Sequence, residues 1–129
     1  MFINLINYHG LALTLLRLVL SAIFVSHGWG KLKDLKGTAR GFDSMGFKPG
    51  NFWGTLTAIV EFFGGLALLL GIYHQAAALL VAVVMFVSLL WKIKNGQKLV
   101  GGFELDLALL AAALILATVG ATPYSLNLF

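Results

Sequence analysis

The sequence predicts an all-α protein, a bundle of four transmembrane helices that makes it polytopic in a membrane. Three observations predict it. Of 129 residues, 60% are hydrophobic and only 11% are charged, whereas an ordinary soluble domain has roughly 25% charged residues and under half apolar. The apolar residues gather into four stretches, each long enough to cross a hydrocarbon core of about 30 Å at a helical rise of about 1.5 Å per residue. The basic residues respect the same division. Five of them, Lys31, Lys33, Lys36, Arg40 and Lys48, fall in the gap after the first stretch, and three, Lys92, Lys94 and Lys98, in the gap after the third. Helices of alternating direction put those two gaps on one side, so hydropathy and charge agree on one topology.

The first span is predicted over 11–30. Residues 1–10 contain no Lys or Arg, and no small-residue cleavage site follows closely, so the stretch reads as a retained span rather than a signal peptide. The gap after it holds Gly41-Phe42 and Met45-Gly46-Phe47-Lys48-Pro49-Gly50. Glycines among aromatics predict a compact, partly buried loop at the interface. The second span is predicted over 52–73 and the third over 75–91. The turn near His74 is so short that the two form an antiparallel hairpin. The fourth span is predicted over 103–119, and residues 1–129 read as one membrane domain.

Sheet alternatives fail, because an open strand edge cannot satisfy its amides in lipid and the spans lack barrel alternation. Trp29, Trp53 and Trp91 all fall at span ends on the basic side, where interfacial indoles gather. Small residues recur four apart, at Ala22 with Ser26, Ala67 with Gly71, Ala78 with Ala82, Ala108 with Ala112 and Ala113 with Ala117. Such pairs allow helices to approach closely in lipid. The positive-inside rule puts the basic loops in the cytoplasm and both termini outside.

Composition excludes several functions. The net charge of +4 comes from residues beside spans, so it implies attraction to anionic lipid headgroups rather than nucleic acid. With no cysteine, the chain has no disulfide, thiolate metal site or iron–sulfur cluster of its own. There is no HExxH motif, metal-ligand cluster or nucleotide-binding glycine motif. Two haem-ligating histidines must face each other at one depth. His27 is predicted on the inner side and His9 and His74 on the outer side, which argues against haem. No covalently bound cofactor is expected.

The informative residues are ionisable groups at membrane depth, each costing roughly 2.5–3.5 kcal/mol near a span centre. Glu61 lies among Ile59, Val60, Phe62 and Phe63 and precedes Gly64-Gly65. It is either a proton-accepting or ligand-binding carboxylate, or a structural pair that fixes packing. The two glycines would let a helix or a flat ligand approach the backbone. Arg17 either pairs with Glu61 or snorkels to the outer headgroups. Helical side chains lean toward their own amino terminus, which sends Arg17 outward and Glu61 inward. His27, Glu104 and Asp106 lie at the inner ends of their spans, toward which Glu61 leans. A histidine among carboxylates is suited to relaying protons. Glu104 and Asp106 also fit the first turn of a helix as dipole partners.

Some motifs are recognisable in order. They are Arg17 and Phe24, then His27-Gly28-Trp29-Gly30-Lys31-Leu32, then Gly46-Phe47-Lys48-Pro49. Glu61-Phe62-Phe63-Gly64-Gly65-Leu66-Ala67-Leu68-Leu69-Leu70-Gly71 follows, then Met85, then Gly101-Gly102-Phe103-Glu104. In these the chain resembles the DoxX family of small bacterial membrane proteins over nearly its whole length. The resemblance implies a four-helix protein of the bacterial plasma (inner) membrane, linked to quinone-dependent redox or redox-stress functions. His74 stands where the family usually has Arg, and the 120–127 tail departs from the family pattern.

Two functions follow as expectations. In the first, the chain is an accessory subunit of a membrane oxidoreductase, possessing no self-contained catalytic motif. Glu61, His27, Glu104, Arg17 and Asp106 bind a quinone head group or relay protons, with Trp29, Phe63, Gly64 and Gly65 flanking it. A lipid-open cavity of about 300 Å³ or more should then reach Glu61. In the second, it is a scaffold or small-solute carrier, with Glu61 and Arg17 as packing elements. The expected partners are the bilayer, a membrane or peripheral redox protein, and a second copy of the chain.

Overall fold

The computed structural model describes residues 5–119, so the 120–127 tail lies outside it. A short 3₁₀ turn, Leu5–Tyr8, leads into α1, His9–Leu32. Then come α2, Leu35–Ser44, α3, Gly50–Leu70, and α4, His74–Lys94. A π-type turn, Leu99–Phe103, enters α5, Glu104–Thr118. Four helices are long and apolar enough to cross a membrane: α1, α3, α4 and the segment Leu99–Thr118. They correspond to the four predicted spans.

The helix bounds depart from expectation by one to three residues, most at two ends. The second span ends at Leu70 because Gly71 adopts a left-handed φ of 73°, which stops the helix before residue 73. The third continues through Lys92 and Lys94, so both lysines lie on helix rather than loop.

The first gap contains a helix that the sequence reading missed. Asp34 caps α2, its Oδ1 accepting from the Gly37 amide at 3.0 Å. Thr38, Ala39 and Phe42 turn inward at helical spacing, while Lys36 and Arg40 are exposed on the opposite side. Gly37 and Gly41 disguised this pattern as a loop. The helix lies against the start of α3, where a Cβ on Gly50 would strike the Ala39 carbonyl.

The tightest helix pairing is α1 with α3, followed by α4 with α5. Glycine makes the first possible. A Cβ on Gly28 would collide with the Phe62 amide nitrogen, and one on Gly65 would lie 2.9 Å from that of Val25. In lipid, apolar side chains gain nothing by leaving the solvent, so such close contact is the main source of association. Leu20, Phe24, Leu68, Val81, Met85 and Leu116 fill the core. Of the small-residue pairs, Ala78 with Ala82 and Ala113 with Ala117 are buried, whereas Ala22 and Ser26 face outward. Leu15, Val19, Phe63, Val83 and Phe86 are at least half exposed. That surface would be a liability in water and is ordinary in a bilayer.

Candidate functional site

Helix α3 is held at three levels by charged side chains from other elements. At its start, Asp43 of α2 accepts from the Gly50 amide at 2.7 Å, an anion at a helix N-terminus. At its end, the last carbonyls lack intrahelical partners. The Ile72 amide takes that of Ala67 at 2.9 Å, and Arg17 of α1 takes the next two. Its Nη1 donates to the carbonyls of Leu68 and Leu69, each at 2.8 Å. Arg17 is only 2% exposed. It therefore neither pairs with Glu61 nor snorkels to headgroups. It neutralises the negative end of a neighbouring helix.

Between these ends, Glu61 is 2% exposed and its Oε2 accepts from Lys31 Nζ at 2.8 Å. The backbone register explains the choice. Gly28 packs on Phe62, which sets the last turn of α1 beside Glu61. Lys31 leans up along α1 and Glu61 leans down along α3, so the two side chains meet.

The second helix pair repeats the arrangement. Asp106, in the first turn of α5, is 6% exposed. One carboxylate oxygen accepts from Ser88 Oγ at 2.5 Å and the other from Lys92 Nζ at 3.2 Å. Ser88 and Lys92 stand four apart on α4 and so share a face. In both pairs a lysine in the last turn of one membrane-spanning helix neutralises a carboxylate on the next span. The sequence reading assigned Lys31 and Lys92 to topology alone and did not single out Ser88. Their only sequence signal was a lysine one turn beyond an apolar run, opposite a membrane-level acid.

The expected convergence of His27, Glu61, Glu104 and Asp106 does not form. Among the described residues no three His, Asp or Glu side chains gather as a metal site would require. Glu104 is exposed and its Oε1 accepts from the Gly101 amide at 3.2 Å, capping its own helix entry. Gly65 is filled by α1, and a Cβ on Gly64 would lie 3.1 Å from the Val81 side chain of α4, so neighbouring helices occupy the space considered for a flat ligand. Trp29 meets Phe62 in a tilted arrangement with centroids 6.1 Å apart, and Phe63 points outward, 58% exposed.

Two clefts open at the basic half of the bundle. One, of about 350 Å³, lies between α1 and α5 and is lined by Ala22, Ile23, Ser26, His27 and Leu105. The Ser26 hydroxyl and the His27 imidazole are its polar groups. The other, of about 530 Å³, lies between residues 45–47 and the end of α4. Glu61 lines neither of them; the cleft between α1 and α5 reaches His27 instead.

The fold and these buried ion pairs define a small multi-pass membrane protein whose helices are clamped by charge at their basic ends. The chain belongs to the DoxX family, which it matches over residues 12–93. It is 31% identical over 113 residues to the inner membrane protein YqjF of Escherichia coli K12, covering 86% of this chain and 85% of that protein. It is 28% identical over 115 residues to the putative oxidoreductase CatD of Bacillus subtilis 168, covering 89% and 84% respectively. No solved structure matches it significantly.

Proposed function

We propose that this chain is an accessory subunit of an inner-membrane, quinone-linked redox system, and that the cleft between α1 and α5 receives the quinone head group. The observation that carries this is the cleft itself. A serine hydroxyl and an imidazole line an apolar opening of about 350 Å³ on the outside of a membrane-spanning helix. That volume is at the lower end of small-molecule sites. Polar groups in a membrane-exposed position call for a polar partner, and a quinone supplies two carbonyl acceptors on a flat apolar ring. Ser26 and His27 would donate to a carbonyl, while Ile23 and Leu105 would form the walls. Ala22, one turn above Ser26, leaves room for the ring. A quinone bound there would supply two-electron redox chemistry, and a partner subunit would supply the electrons. The names of the two relatives, one an inner membrane protein and one a putative oxidoreductase, are consistent with this reading.

In this reading Glu61 and Arg17 are positioning groups. They fix α1 against α3 and so fix the wall that presents His27. The scaffold reading has its own support, because every buried charge described above is engaged in holding helices together. The two readings separate on purification in mild detergent with mass spectrometry of the lipid extract. The redox reading expects quinone to co-purify and to fall at least fivefold in His27→Ala, with Glu61→Gln losing far less. A scaffold would retain no quinone in any variant.

A further inference from the structure

We propose that the groove beside the end of α4 is a binding site for one anionic phospholipid. Val87, Leu90, Trp91, Lys94 and Asn95 line it from α4, and Met45, Gly46 and Phe47 from the segment after α2. The α4 residues follow helical spacing and so form one stripe. That stripe changes character along its length. Val87 and Leu90 are apolar and 43% and 50% exposed, and they lie toward the membrane interior. Lys94 and Asn95 are exposed at the rim, where the helix ends. Lys48, also exposed, directly follows Phe47 on the opposite wall.

Trp91 Nε1 donates to the Met45 carbonyl at 3.0 Å, which ties the two walls together at one depth. The indole is thereby committed, and Lys94 is the charged residue among those that line the groove. Lys92, two residues earlier, is engaged by Asp106 on another face of the helix. The space of about 530 Å³ therefore offers apolar walls below and a cation above. A molecule matching it has an acyl chain and a negatively charged head at the interface, as an anionic phospholipid has. Basic pockets between helices on the positive side of a membrane protein bind such heads. Charge complementarity selects this occupant over a zwitterionic lipid.

The test uses the full chain with Trp29→Phe and Trp53→Phe, leaving Trp91 as the one indole, in phosphatidylcholine vesicles. Brominated phosphatidylglycerol and brominated phosphatidylcholine with identical chains are titrated as quenchers. The expected result is half-maximal quenching by the anionic lipid at about one fifth of the mole fraction, the effect of one lysine near an anionic headgroup. Lys94→Gln should bring the two lipids together, and Val87→Phe, which fills the groove, should weaken quenching by both. Lys98→Gln should leave the preference in place. Equal quenching in the parent protein, an undiminished preference in Lys94→Gln, or an equal loss in Lys98→Gln would overturn the site. The last result would mean general surface charge instead.

Discussion

Lys31 Nζ lies 2.8 Å from Glu61 Oε2, and the two sites differ in exposure, with 28% of the lysine side chain accessible and 3% of the glutamate's. The pair is therefore asymmetric. If Glu61 loses its charge, the lysine retains a route to the headgroups along its flexible stem. If Lys31 is removed, a carboxylate is left unpaired inside the bundle.

That asymmetry orders the variants. Lys31→Met should destabilise the protein by roughly 3 kcal/mol, the loss expected when one partner of a buried pair is deleted. Glu61→Gln should be milder, and the double variant should recover much of the loss. Thermal unfolding in one detergent, read by circular dichroism, checks the order. Equal effects of the two single changes would contradict it.

Arg17 offers a second test, at the opposite end of the bundle. Arg17→Gln removes a charged donor from two carbonyls at the end of α3 and should cost roughly 3 kcal/mol. Arg17→Lys keeps the charge beside the helix end and should lose less. Hydrogen exchange of the last turn of α3 should rise in the glutamine variant while the α4–α5 pair stays protected.

The glycines give a steric test with a built-in control. A Cβ at Gly28 meets the backbone of Phe62, whereas one at Gly30 meets nothing within 4 Å. Gly28→Ala should therefore lower stability by roughly 1–3 kcal/mol, as overpacking does. Gly30→Ala, two residues away, should change it little. Side-by-side melting curves decide the matter.

Asp106 predicts a split between its two partners. Ser88→Ala removes one hydrogen bond and should cost roughly 1 kcal/mol. Lys92→Met strips the charge partner from a carboxylate that is almost fully buried, and it should cost more. Chemical denaturation of the two variants in the same detergent compares them directly.

Much of this architecture was legible in the sequence. Apolar length and basic gaps gave four spans, because the bilayer leaves few alternatives. The leaning of helical side chains sent Glu61 toward the basic end and Arg17 toward the other, and both went that way. What the sequence did not reveal was register. Which residues of α1 and α3 face each other depends on where Gly28 and Gly65 let the backbones meet, and that decides between Lys31 and His27 as the partner of Glu61. Helix α2 was hidden because Gly37 and Gly41 weaken its propensity, and tertiary contact with α3 restores it. Asp106 and Glu104 looked alike in sequence. Only packing against α4 separates the buried clamp from the exposed cap.

The most direct test of the proposed function is the site of covalent labelling by a photoreactive azidoquinone in native membranes. Peptide mass spectrometry should place the adduct within residues 22–27 or at Leu105, with labelling suppressed by excess unmodified quinone and lost in His27→Ala. Adducts spread along Leu15, Val83 and Phe86 on the outer surface, undiminished by competitor, would contradict a quinone site in that cleft.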